Sequence, residues 1–186
     1  MEMIFSGLVL WILVHLIPSA TPTIKSYLVN KFGENVYKSL FSILILTALF
    51  LMIYGWRHSD TFHVYQLPDY VYPVSTLLML CSYIIYGSAV LPTRLLNYIR
   101  HPQLISVFIW SVAHLLSNGD CRSILLFSGM GLWALLEIIF INKRDVEWEK
   151  PAKPDILTEI KSIAISLVLF VATLYGHSYL SGVALV

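Results

Sequence analysis

FSILILTALFLMIY, from Phe41 to Tyr54, and ILLFSGMGLWALLEIIFI, from Ile124 to Ile141, decide the fold of this chain. Each is an apolar run with no turn signal, and the only charged residue in either is Glu137. About 20 apolar residues in a helix cross the hydrocarbon core of a bilayer. Working outward from these two, six such runs lie near residues 2–20, 37–56, 71–91, 102–118, 122–141 and 159–182. The fourth is the shortest. Strand-like alternation is missing, and an open sheet cannot exist in lipid. The expected architecture is all-α, an integral membrane bundle of about six transmembrane helices forming one domain over residues 1–186.

Composition agrees. Hydrophobic residues make up 58% of the chain and charged residues 12%, about half the charge of a soluble domain. Mean hydropathy is +0.75. A net charge of +1 gives no reason to expect a nucleic-acid partner; the lipid bilayer is the expected one. The two cysteines, Cys81 and Cys121, lie in a span and in a short turn. No disulfide framework is expected from them, and no Cys-x-x-Cys is present to build a thiolate zinc site. The first run could pass for a signal peptide ending near Pro18-Ser19-Ala20, but it opens with Glu2 and no basic residue. That departs from the usual leader and favours a retained first helix.

Lys25, Lys31 and Lys38 follow the first run, Arg94 and Arg100 the third, and Lys143, Arg144, Lys150, Lys153 and Lys161 the fifth. Ten of the 12 basic residues thus fall on one side of the bundle, with only Arg57 and Arg122 opposite. The positive-inside rule makes the basic side cytoplasmic. Both termini are then periplasmic or outside, in a multi-pass protein. Residues 21–36 read as an interfacial amphipathic helix, with Ile24, Tyr27, Leu28 and Phe32 on one side, against the plainer alternative of a loop. Residues 57–70 read as a polar outer loop, and 143–158 as a solvated linker broken by Pro151 and Pro154. No internal repeat is visible, so a repeat-built transporter has no support.

A titratable residue in a membrane span is costly and marks a functional candidate. His101, just before the fourth run, and His114, within it, lie ~20 Å apart at 1.5 Å per residue and about 220° around the helix. They belong to different clusters. The outer cluster holds His114, Asn118, Asp120, Arg122 and His177, with Trp110 one turn from His114. Two imidazoles facing across a bundle can bind a haem iron axially; the bland alternative is that each bonds a backbone carbonyl between helices. Asn118-Gly119-Asp120 reads as a hairpin turn, with Gly119 left-handed and Asp120 capping the next helix. The inner cluster holds His15, Arg94, Arg100, His101 and Glu137. Arg100, Arg94 or His101 is the expected ion-pair partner of Glu137, and His101 before Pro102 also fits a helix start.

Taken together, His15-Leu16-Ile17-Pro18-Ser19, Tyr37 to Ser42, Arg100-His101-Pro102, Trp110 to Asp120, Leu125-Leu126-Phe127 and Gly176-His177 resemble the NnrU family of bacterial inner-membrane proteins. The likeness runs over nearly the whole chain, with its motifs in order. It implies a link to nitrite and nitric oxide metabolism in denitrifying bacteria. It also implies kinship with the plant cis-zeta-carotene isomerase, an integral membrane enzyme that uses haem b. Carried over, the haem histidines of that relative fall on His114, closely, and on His15, more loosely. The depth estimate conflicts with this pair, since it sets His15 and His114 ~13 Å apart along the membrane normal. His177 is then the alternative partner of His114.

Three functions follow as expectations. The first is a haem-b protein acting as a redox-gated isomerase of a polyene, or as an electron carrier. The second is an accessory protein without chemistry, supporting nitrogen-oxide reductases and binding haem, nitric oxide or a partner subunit, with Ser128, Gly129 and Gly131 allowing close helix contact. The third, less favoured, is a membrane methyltransferase that uses S-adenosylmethionine. It is suggested by Arg100-His101-Pro102, but Gln103-Leu104-Ile105 follows where that family has Tyr-x-Gly. The sequence names no catalytic residue.

Overall fold

The computed structural model describes residues 1–152 and 154–182; Lys153, counted above in the charge asymmetry, lies outside the described residues. Seven helices follow in order: α1 (Glu2–Ala20), α2 (Pro22–Phe32), α3 (Glu34–His58), α4 (Tyr72–Val90), α5 (Pro102–Ser117), α6 (Cys121–Arg144) and α7 (Ile156–Ser181). All except α2 fall on the six apolar runs. Five of them, α1, α3, α4 with the turn before it, α6 and α7, are long and apolar enough to cross a membrane. Helix α5 has 16 residues, roughly 24 Å of rise, short of the ~30 Å core.

Residues 21–36 are not a plain loop. Thr21 breaks from helical geometry, Pro22 starts α2 at the position where its missing N–H costs nothing, and Gly33, at φ 87°, ends it. No residue of α2 is buried. It packs beside α1 and α3, and Lys31 lies over the rings of Tyr27 and Phe32.

The long helices pack in the order α3, α1, α6, α5, α4, α7. The seams are lined by small residues, which is how helices approach when lipid is as apolar as their side chains. A Cβ on Gly7 would meet the backbone of α3 2.8 Å away, and one on Gly129 would meet Leu8. Ser82 on α4 donates to the Ser106 carbonyl on α5 at 2.8 Å, and Ser111 sits against Gly131. Ser128, by contrast, is exposed and contributes no seam. Helices α3 and α7 are the two outer arms and make no broad contact with each other among the described residues.

One end of the bundle gathers Met1, the end of α3, the α5–α6 turn and the end of α7. The terminal amine of Met1 donates to Ser59, and Trp56 Nε1 to the Ser181 carbonyl. The other end gathers the basic loops, tied by Arg144, which donates to the Pro18 carbonyl at 2.8 Å. The charge asymmetry of the sequence is therefore an asymmetry of the folded molecule.

Loop 57–70 folds over the α5–α6 turn. Val64 N–H donates to the Gly119 carbonyl at 2.8 Å, Cys121 N–H to that of Phe62 at 3.0 Å, and the Tyr65 hydroxyl to the Leu115 carbonyl. Gly119 is not left-handed, as the sequence suggested; among the described residues positive φ is confined to Gly33 and Gly182. Glycine is needed there because a Cβ would collide with the Tyr65 backbone. Asp120 does cap α6, accepting from the Ser123 N–H at 3.1 Å.

Candidate functional site: two cavities and their histidines

Two cavities lie in the bundle, one toward each end, and Met130 on α6 lines both. The outer one, about 430 Å³, holds His114, His177 and Trp110 with Met52, Phe127 and Tyr83 among its walls. The inner one, about 1240 Å³, holds His15, Trp11, Trp133, Glu137, Arg100 and His101. The structure thus brings His114 and His177 together and places His15 apart from both.

In the outer cavity the His114 and His177 ring centres are 6.4 Å apart, with planes inclined by 26°. His114 Nδ1 bonds the Trp110 carbonyl one turn back, at 2.9 Å. A carbonyl can only accept, so in the neutral ring Nδ1 carries the proton. Phe127 stacks on His114 at 4.3 Å, and Trp110 closes on it at 4.9 Å. His177 Nδ1 lies 3.0 Å from the Ser181 hydroxyl, which also lies 3.0 Å from the His177 carbonyl. Asn118 donates to the His114 carbonyl at 3.0 Å.

Asp120 and Arg122 stay at the outer rim. Asp120 accepts from Thr61 at 2.8 Å and from the Ser123 hydroxyl at 2.5 Å, and Arg122 Nε is 3.5 Å from it. Burial pushes the Asp120 carboxyl up, but the hydrogen bonds from Ser123 and Thr61 and the charge of Arg122 outweigh it and hold the carboxyl below its ordinary range. Arg122 also lies over the Trp56 ring at 4.5 Å.

The inner cavity repeats one piece of this geometry. His15 Nδ1 bonds the Trp11 carbonyl at 2.9 Å, just as His114 bonds Trp110. Trp11-x-x-x-His15-Leu16 and Trp110-x-x-x-His114-Leu115 are one local motif used twice, on helices of opposite direction. Reading for long repeats misses it; comparing the four-residue spacing before each histidine would have found it. The His15 ring lies tilted against Trp11 at 4.4 Å and edge to face with Trp133 at 4.9 Å.

The ion pair expected for Glu137 does not form. Glu137, 5% exposed, accepts from Ser19 at 3.1 Å. Arg94 faces Glu159 at 3.8 Å. Arg100 donates to the carbonyls of Asp145 and Glu147, and His101 bonds Asn142 at 2.8 Å. The cause is position: Arg100 and His101 precede α5 at the mouth of the cavity, where the end of α6 and the linker offer oxygens nearer than Glu137. Ser19 was missed because it reads as a helix-end residue.

Among the described residues no three His, Cys, Asp or Glu side chains converge as a metal site; what the bundle offers is pairs. Comparison with curated proteins and with solved structures returned no match. Over residues 3–185 the chain matches the family described as NnrU protein, and with nearly its whole length covered it belongs to that family.

Proposed function

We propose that this membrane protein binds haem b in the outer cavity, where His114 and His177 would hold its iron. The observation that carries this is the ring pair 6.4 Å apart. Two imidazoles sharing one metal place their ring centres roughly 6 Å apart, given metal–nitrogen bonds of about 2 Å. Each Nδ1 is hydrogen-bonded within its own helix, the outer-shell bond that fixes the tautomer and orientation of a ligating histidine. The volume of about 430 Å³ lies in the ~300–1,000 Å³ range of small-molecule sites, and Met52, Phe127 and Met130 give it apolar walls. Bound there, haem b supplies a redox-active iron whose potential its ligands and burial tune. His177 takes the role that the family resemblance gave to His15.

Beside the histidines, Leu49, Ile53 and Leu126 extend the apolar lining between the two outer arms. That slot suits a lipid-soluble substrate, and the reading it supports is isomerisation of a polyene rather than an accessory role in nitric oxide metabolism. By the positive-inside rule we infer that the basic end of the bundle faces the cytoplasm across a bacterial inner membrane, with both termini on the far side.

The test is haem stoichiometry in the detergent-purified protein, by pyridine haemochrome, beside His114→Ala. About one haem b per chain is expected in the wild type and none in the variant. A protein that takes up no haem, even on reconstitution, contradicts the proposal.

A further inference from the structure

The inner cavity has a chemistry of its own. Its buried wall is formed where α1 and α6 face each other, with His15 and Ser19 one turn apart on α1 and Trp133 and Glu137 one turn apart on α6. Because His15 donates from Nδ1 to a carbonyl, Nε2 of its neutral ring is a bare acceptor. Glu137 takes a single hydrogen bond, from Ser19, although a carboxylate can accept about four. The indole N–H groups of Trp11 and Trp133 are sealed inside the wall with no partner among the described residues, so they are not offered to the cavity. What the wall presents is two acceptors, bracketed by flat aromatic faces. An apolar molecule lodged there would strand both acceptors away from water, which is costly.

We propose that the inner cavity binds the reduced, two-hydroxyl form of a lipid-soluble quinone. A quinol brings two O–H donors for His15 Nε2 and Glu137, a flat ring for Trp11 and Trp133, and an apolar tail for Leu104, Val107 and Met130 along the wall. It is neutral, so it adds no second charge to a cavity at membrane depth. A carboxylate ligand would oppose Glu137, and a cation would have to pass Arg100 at the mouth. The quinone itself offers only acceptors and leaves both protein acceptors unmet. The proposal concerns binding alone and is independent of what the outer cavity holds.

The experiment is anaerobic calorimetric titration of the full chain in nanodiscs with decylubiquinol, decylubiquinone and decylamine. The quinol is expected to bind saturably and at least about tenfold more tightly than the quinone or the amine. His15→Phe keeps the ring stack and should abolish the preference for quinol. Glu137→Gln, a gentler change, should reduce it severalfold with an unchanged melting profile. Equal binding of the two oxidation states, tighter binding of the amine, a preference that survives both variants, or a cavity that takes up water only would each overturn it.

Discussion

His15 and His114 have the same immediate surroundings and different neighbours across the cavity. Each ends a Trp-x-x-x-His turn, bonds the tryptophan carbonyl 2.9 Å away through Nδ1, and lies against an aromatic ring of α6. The local motif alone does not rank them, because it sets only the tautomer. The difference lies across the gap: His114 meets the imidazole of His177, while His15 stands on the same wall as Glu137 and Ser19. A pair of imidazoles suits a metal, and an imidazole with a carboxyl suits a hydrogen-bonding ligand. The motif prepares a histidine, and the opposing helix assigns its use.

The sharpest break of this comparison is His114→Ala, which should remove all haem while the protein still inserts, as read by haemochrome per chain. Next is His177→Ala. It should leave weakly held, five-coordinate haem, seen as loss of the low-spin spectrum. His15→Ala should leave haem content and spectrum unchanged, since it lines the other cavity. Haem loss in His15→Ala would erase the distinction between the two ends.

Much of the fold was legible because lipid imposes a simple rule. The runs around Phe41–Tyr54 and Ile124–Ile141 could only be helices, and the basic loops sort to one end. The short α5 was visible as a short apolar run. The site was legible only in part. His114 and His177 could be placed at one depth from helix direction, yet depth says nothing about which helices are neighbours. The packing order, set by Gly7, Gly129, Gly131 and the buried serines, decides that. The partner of Glu137 failed for a related reason: pairing was inferred from charge and depth, whereas Arg100 found carbonyls at the end of α6. Gly119 was given the wrong role because its neighbour, Tyr65, is more than 50 residues away and close only in the folded chain.

Smaller effects test the outer rim. Gly119→Ala should free loop 57–70 from the α5–α6 turn, since the added Cβ meets the Tyr65 backbone. Faster amide exchange at Val64 and Cys121 is the expected readout, with haem retained. Asp120→Ala should cost about 1 kcal/mol of α6 stability through loss of the cap. The Asp120 carboxyl is held below its ordinary range in the folded protein. Its contribution is therefore present above the unfolded value and fades as pH falls through the folded one. Acid below the ordinary carboxylate range should loosen the loop in the wild type and change little in Asp120→Ala, as read by exchange at Val64.

The most direct measurement is the absorption spectrum, oxidised and dithionite-reduced, of His15→Ala and His177→Ala purified side by side with the wild type. The account predicts a low-spin haem b spectrum in the wild type and in His15→Ala, and its loss in His177→Ala. A low-spin spectrum kept by His177→Ala and lost by His15→Ala would contradict it.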